Sequence, residues 1–170
     1  VSGRGRRQAP FRRSRSVARH THATMGASVI ARSAAEIAAA IGGAVVQGDA
    51  SVRAGGVSID SRTLNAGEAF FAIRGETHDG HAFIDRAAAG GASLAVIHES
   101  CALPPGMTVV QVADTTSALG ALATDERNRS HYKVVAITGS SGKTTVRALT
   151  TAALSARLKT ASSVGNFNNQ

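Results

Sequence analysis

A glycine-rich stretch, AITGSSGKTT (136–145), contains the residue types that hold a phosphate chain. Gly139 and Gly142 allow positive φ, so the backbone N–H groups between them can turn inward as an anion nest. A helix predicted after the loop points its N-terminal N–H groups and its dipole at the same place. Lys143 then reaches the terminal phosphates, and Thr144 offers a hydroxyl to Mg²⁺. The loop is therefore suited to the triphosphate of a nucleotide.

The loop is shorter than a full Walker sequence, because Ile137 occupies the position of the first glycine. The remaining Gly-x-x-Gly-Lys-Thr still supplies the backbone nest and the lysine. The alternative is an ordinary strand-to-helix turn with an exposed lysine. A serine nucleophile is disfavoured, because GSSG does not match the Gly-x-Ser-x-Gly elbow and no His or Asp follows it.

The loop needs a strand before it and a helix after it. KVVAITG (133–139) indicates a buried strand, VRALTTAALSARL (146–158) an amphipathic helix, and KTASSV (159–164) a further strand. Upstream, the apolar runs SLAVIHE (93–99) and TVVQVAD (108–114) predict strands that are covered on both faces. Strands that alternate with helices in this way indicate an α/β fold.

Capping and turn residues mark the remaining elements. Ser33 and Glu36 have the spacing of a capping box, for a helix that Gly42 and Gly43 would end. The same kinds of signal predict short strands in AVVQG (44–48) and GGVSID (55–60), a strand from Ala69 to Arg74, a helix from about His81 to Gly90 and a helix from Asp114 to about Asn128.

We therefore expect an α/β protein with two unequal parts. A small N-terminal α/β domain (25–113) is followed by a linking helix and polar connection (114–132). Residues 133–170 would be the truncated start of a P-loop parallel-sheet ATPase domain, because a typical domain has about 100–150 residues.

The net charge of +8 is concentrated in a tail, residues 1–24, that contains no acidic residue. Its seven arginines leave only +1 for the rest of the chain. The tail has no hydrophobic period, so we expect it to be disordered. Three interpretations stay open: an arm that binds nucleic acid, a transit peptide, or a non-native start upstream of Met25. The near-neutral remainder makes nucleic acid an improbable partner for the folded part.

Cys101 is the only cysteine, which excludes a disulfide framework and a cysteine-based zinc site. No apolar run approaches the roughly 20 residues that a membrane span needs. A reducing, cytoplasmic location is therefore expected.

Three stretches together resemble the Mur ligases, which build the peptide of bacterial cell-wall precursors. The stretch VSIDSRTLNAGEAFFAIRGETHDGHAFIDRAAAGGASLAVI (57–97) resembles their N-terminal UDP-sugar-binding domain, and AITGSSGKTT resembles their ATP loop. The stretch GNFNN (165–169) is similar to the branch that adds D-alanyl-D-alanine to UDP-N-acetylmuramoyl-tripeptide. The alternative branch adds the third peptide residue.

The resemblance implies a three-domain enzyme that uses ATP and Mg²⁺. The residues that would bind ATP are Gly139, Ser140, Ser141, Gly142, Lys143, Thr144 and Thr145. The tripeptide carboxylate becomes an acyl phosphate, and the amine of D-alanyl-D-alanine displaces the phosphate. Lys143 and Asn168 would then be catalytic, with Thr144 on the metal. Asp60, Ser61, Arg62, Asn166, Asn168 and Asn169 would bind substrate.

Simpler roles remain possible for several of these residues. Asp60 and Arg62 fit a turn-stabilising ion pair equally well. His78 and His81 suggest a metal site by spacing, but a turn and helix start is the favoured interpretation, because the sequence places no third ligand.

Two other functions compete with an active ligase. One is a non-catalytic module that binds nucleotide or UDP-sugar, and the other is nucleic-acid binding by the arginine tail. No Asp or Glu follows Glu126, so no carboxylate downstream of the loop can hold a metal or act as a base. We therefore expect this chain, as given, not to catalyse ligation.

Overall fold

This computed structural model describes residues 31–163. The basic tail and the asparagine stretch fall outside the described residues. The predictions made for residues 1–24, Asn166, Asn168 and Asn169 therefore stay predictions.

The described residues form seven short strands, four α-helices and one 3₁₀ helix. Three of the α-helices precede the glycine-rich loop, and the fourth follows it. The strands are β1 (Arg32–Ser33), β2 (Ala44–Gln47), β3 (Arg53–Ala54), β4 (Val57–Ser58), β5 (Ala69–Phe71), β6 (Leu94–Ile97) and β7 (Thr108–Gln111). The helices are α1 (Ala34–Ile41), the 3₁₀ helix (Gly80–Phe83), α2 (Ile84–Ala89), α3 (Thr115–Arg129) and α4 (Lys143–Ser155).

Five strands form one mixed sheet in the order β2-β7-β6-β5-β4. Strands β4, β5, β6 and β7 run parallel to one another. Strand β2 pairs with β7 in the antiparallel direction and forms the opposite edge of the sheet. The two-residue strands β1 and β3 pair separately. The mixed α/β architecture predicted from the sequence is confirmed.

Successive side chains of the inner strands point to opposite sides of the sheet, and helices pack against both sides. Phe71, Val96 and Val110 pack in one cluster with α1 and α3. Their neighbours Phe70, Ala95 and Val109 pack in a second cluster with α2. All four residues of β6 are buried, as the apolar run predicts for a strand between two helix layers.

Helix α1 begins and ends as its sequence predicts. The Glu36 N–H donates to Ser33 Oγ at 3.2 Å, and the Ser33 N–H donates to Glu36 Oε2 at 2.7 Å, which completes the capping box. Gly42 ends the helix with φ 66°, a left-handed conformation that glycine adopts without strain.

Helix α3, predicted as the linking helix, is also part of the first core. Asp114 caps it by accepting the Ser117 N–H at 2.7 Å. Ala118 and Leu122 are buried in the same cluster as α1. Arg32 of β1, itself buried, pairs with Asp125 and lies 3.7 Å from Glu126, which fastens the far end of α3.

Three sequence predictions differ from the structure. The stretch 133–139 is not a strand, and Val134 and Val135 are 63% and 61% exposed. The described part of 159–164 is not a strand either. A strand exists only through its hydrogen-bonded neighbours, and within residues 31–163 neither segment has one. The helix predicted from His81 begins as a 3₁₀ turn and becomes α-helical at Ile84.

No helix among residues 31–163 is long and apolar enough to cross a lipid bilayer.

We predict that two Leu→Ala substitutions differ sharply in cost. Leu122 of α3 is 1% exposed, whereas Leu149 of α4 is 67% exposed. Leu122→Ala should lower the free energy of unfolding by about 2–5 kcal/mol, because it leaves a cavity in the core. Leu149→Ala should change it by less than about 0.5 kcal/mol. Urea unfolding followed by circular dichroism measures both, and equal losses would contradict the packing of α3.

Candidate functional site

The parallel strands deliver polar side chains to one edge of the sheet, the edge at which strands β4 to β7 end. Asp60 follows β4, Arg74 follows β5, His98 and Glu99 follow β6, and Thr115 begins α3 after β7. We call this group, together with Arg62, Asp79 and His81, the carboxyl edge. Open α/β sheets bind ligands at the carboxyl ends of their strands.

Asp60 and Arg62 form an ion pair within a turn. Arg62 Nε donates to Asp60 Oδ1 at 2.9 Å and Arg62 Nη2 to Asp60 Oδ2 at 2.7 Å. The Arg62 backbone N–H also donates to Asp60 Oδ1, at 2.9 Å. The Arg62 side chain, supported by its backbone N–H, lowers the pKa of Asp60 to about 2. Ser61 lies between them, half-buried in the turn.

Arg74 lies at the centre of a second ion-pair group. Its Nε and Nη2 donate to Asp79 Oδ2 at 2.9 and 2.6 Å, and Nη2 also donates to Glu99. The turn between Arg74 and Asp79 is closed by the Gly75 N–H, which donates to the His78 carbonyl at 2.8 Å. The His81 N–H, with smaller help from Arg74, holds the pKa of Asp79 well below its usual range.

His81 is a buried member of the carboxyl edge, with a side chain only 5% exposed. Its Nε2 accepts the backbone N–H of His98 at 3.2 Å. Since a backbone N–H can only donate, Nε2 carries no proton, and Nδ1 carries the proton of the neutral ring. Nδ1 therefore donates to Asp79 Oδ1, at 2.7 Å.

His98 extends the same network to α3. The Thr115 hydroxyl donates a hydrogen bond to the Ala72 carbonyl at 3.0 Å. His98 Nδ1 lies 3.3 Å from the hydroxyl oxygen and is therefore the donor of that pair. The His81 and His98 rings meet edge to face, with centroids 4.5 Å apart. Hydrogen bonds thus join the ends of β5 and β6, the 3₁₀ helix and the start of α3.

Asp79, His81 and Glu99 place potential metal-ligand atoms within 4.8 Å of one another. The group contains Asp79 and Glu99, which the sequence analysis did not place as ligands, and it does not contain His78. Neither ring nitrogen of His81 has a free lone pair, however, because Nδ1 is protonated and Nε2 accepts from His98. Arg74 already pairs with both carboxylates. The group is organised as a hydrogen-bond network, in agreement with the turn interpretation of His81.

The glycine-rich loop has the backbone that a phosphate nest requires. Gly139 has φ 148° and Gly142 has φ 75°, backbone conformations that residues other than glycine rarely adopt. Gly142 is the N-cap of α4, and no side chain caps its first turn. The first N–H groups of the helix are therefore available to an anion.

Lys143 bends back over this loop. Its ammonium donates to the Gly139 carbonyl, which places the positive charge across the two glycines. Ser140, Ser141, Thr144 and Thr145 are exposed around it. The donor set fits a polyphosphate: backbone N–H groups, one ammonium and several hydroxyls. Thr144 is the residue whose hydroxyl fits Mg²⁺.

Two of the predicted sets are each present as a group in the structure. One is the loop 139–145, and the other is the pair of Asp60 with Arg62. Sequence reasoning missed the roles of Glu99, His98 and Thr115. One signal points to all three, since each lies within four residues after the end of a parallel strand.

Comparison with known proteins places these features in a family. A family model described as "Mur ligase family, catalytic domain" matches residues 53–127, from β3 through most of α3.

Two curated relatives come from different branches of that family. The chain is 42% identical over 113 residues to the UDP-N-acetylmuramoyl-tripeptide–D-alanyl-D-alanine ligase of Escherichia coli, covering 66% of this chain and 25% of that protein. It is 40% identical over 118 residues to the UDP-N-acetylmuramoyl-L-alanyl-D-glutamate–2,6-diaminopimelate ligase of Bacteroides thetaiotaomicron, covering 67% and 24%. The chain therefore spans about a quarter of the length of either relative.

Solved structures agree with the sequence matches. A crystal structure of MurF from Acinetobacter baumannii superimposes with a TM-score of 0.66 at 31% identity, covering 75% of this chain and 28% of that one. MurF ligase from Thermotoga maritima, solved in complex with ADP, matches with a TM-score of 0.51 at 29% identity, covering 59% and 23%. By family model, sequence and fold, the chain belongs to the Mur ligase family.

Proposed function

We propose that this chain supplies the UDP-sugar-binding domain and the ATP loop of a cytoplasmic ligase of peptidoglycan synthesis. The reaction would add D-alanyl-D-alanine to UDP-N-acetylmuramoyl-tripeptide. The observation that carries the proposal is the pairing of two features: a glycine-rich loop built for a polyphosphate, and a preceding domain that matches D-alanyl-D-alanine ligases over most of its length.

The loop supports ATP as the nucleotide. When bound, ATP supplies the phosphoryl group that activates the substrate carboxylate. The backbone N–H groups from Gly139 to Thr145 would hold the phosphate chain. Lys143 would exchange its bond to the Gly139 carbonyl for the γ-phosphate, and Thr144 would orient Mg²⁺.

The carboxyl edge supports a UDP-sugar as the second ligand. Asp60, Ser61 and Arg62 occupy the end of β4, and Arg62 is 75% exposed, so its guanidinium can turn toward a diphosphate. Arg74, 51% exposed, follows β5, the strand next to β4, on the same edge. The planar guanidinium of arginine can donate two parallel hydrogen bonds to the oxygens of a phosphate.

A second candidate is the ligase that adds diaminopimelate as the third peptide residue. The Bacteroides thetaiotaomicron relative favours it, with an identity close to that of the Escherichia coli protein. Both candidates share the ATP loop and the UDP-sugar domain, so they differ in the amino-acid acceptor. A non-catalytic module would bind the same two ligands without turnover.

We predict that the two ligand sites can be separated by mutation. Lys143→Ala should weaken ATP binding at least tenfold, because it removes a charged donor to the phosphates, a contact worth about 1.5–3 kcal/mol. Arg62→Gln should weaken binding of UDP-N-acetylmuramoyl-tripeptide and leave ATP binding unchanged. Isothermal titration calorimetry with each ligand in the presence of Mg²⁺ measures both effects.

The matched control is Lys159→Ala, which removes an exposed lysine outside the loop. It should bind ATP as the unaltered chain does. The proposal fails if the unaltered chain binds neither ligand, or if Lys143→Ala and Lys159→Ala have the same affinity for ATP.

We predict that the Asp60 carboxyl titrates near pH 2 in the unaltered chain. In Arg62→Gln its pKa should rise toward the ordinary value of 3.8. Because the folded pKa is the lower one, the pair stabilises the fold above pH 3.8, and that contribution disappears as the pH falls to about 2. Carboxyl carbon NMR measures the titration. Asp49, whose pKa is lowered by Ser51 instead, is the internal control; an unmoved Asp60 would show that Arg62 is not the cause.

A further inference from the structure

We propose that His81 is a positioning residue: it orients the Asp79 carboxylate, and through it the guanidinium of Arg74, toward a ligand at the carboxyl edge. The ligand class, a nucleoside diphosphate sugar, rests on the proposed function. The positioning itself follows from contacts that can be measured without any ligand.

The two oxygens of Asp79 have separate roles. Oδ1 accepts both donors of His81, the backbone N–H at 2.9 Å and Nδ1 at 2.7 Å. Oδ2 accepts both donors of Arg74, Nε at 2.9 Å and Nη2 at 2.6 Å. Two hydrogen bonds from His81 thus fix the plane of the carboxylate, and the carboxylate presents its other oxygen to the guanidinium.

His81 is itself held rigidly. Its side chain is 5% exposed, and its Nε2 is fixed to the backbone N–H of His98 at the end of β6. The adjacent Gly80 packs so closely on the end of β5 that a Cβ there would lie 2.7 Å from the Ile73 nitrogen. The imidazole is therefore held against the end of β6, and its hydrogen bond to Asp79 fixes the carboxylate relative to the sheet.

Arg74 is the part of this chain of contacts that a ligand can reach. Its side chain is 51% exposed, and its bonds to Asp79 and Glu99 use Nε and Nη2. Among the described residues Nη1 has no hydrogen-bond partner, so it is available to a phosphate oxygen. Because Asp79 and Glu99 more than offset its charge, Arg74 contributes a directed donor and no net attraction.

Two substitutions separate the two hydrogen bonds of the His81 ring, the one to Asp79 and the one from His98. His81→Gln places an amide oxygen near the position of Nε2 and keeps an acceptor for the His98 N–H, but it loses the donor to Asp79. His81→Asn keeps a donor near the position of Nδ1 and loses that acceptor. If positioning acts through Asp79, the Gln variant is the more impaired of the two.

The experiment uses the whole chain and two readouts. The first is the affinity for UDP-N-acetylmuramic acid, with ATP affinity as the reference for an intact second site. His81→Gln should bind the UDP-sugar about tenfold more weakly, the loss of one charge-assisted hydrogen bond. His81→Asn should lose clearly less, and ATP affinity should stay unchanged in both. Asp79→Asn, which keeps the size of the side chain, should match His81→Gln.

The second readout is the hydrogen exchange of the Arg74 Nε–H, followed by NMR without ligand. It should be slow in the unaltered chain and in His81→Asn, and fast in His81→Gln and Asp79→Asn. Slow exchange in His81→Gln, or UDP-sugar affinity equal to that of the unaltered chain, overturns the proposal. If the unaltered chain does not bind the UDP-sugar, the proposed function fails, and the exchange rates still decide whether His81 positions Arg74.

Discussion

The carboxyl edge of the sheet depends on an imidazole ring whose two nitrogens have opposite roles. His81 Nε2 accepts a hydrogen bond from the His98 backbone N–H at the end of β6, and Nδ1 donates a hydrogen bond to Asp79. A buried polar side chain is costly unless both of its polar atoms are satisfied, and this arrangement satisfies them only in the neutral form. The same arrangement removes His81 from any metal site and connects it with Arg74.

The two candidate binding regions would hold phosphate by different physical means. The loop at 139–145 uses glycine conformations and unpaired helix N–H groups, with Lys143 as its only cation. The carboxyl edge would use two arginines whose charge is more than offset by Asp60, Asp79 and Glu99, so orientation matters there more than charge. This division agrees with a chain that handles a nucleoside triphosphate at one place and a UDP-sugar at another.

Local signals predicted much of the fold and of the loop. The capping box at Ser33, the apolar runs of β6 and β7 and the Asp114 cap are visible within a few residues, and each is present in the structure. The strand predicted at 133–139 was wrong because an apolar run cannot show whether a neighbouring strand exists. The pairing of β1 with β3 was missed because each strand has two residues and no pattern. The contact of His81 with His98 joins residues 17 positions apart, and only the parallel topology brings them together.

The protonation of His81 is the most direct test of this account. Long-range proton–nitrogen NMR distinguishes the two neutral tautomers and the cation by their ring nitrogen shifts. We predict a neutral His81 at pH 7 with its proton on Nδ1 and a bare Nε2. A proton on Nε2 would contradict the hydrogen bond from His98, and with it the proposed positioning of Asp79 and Arg74.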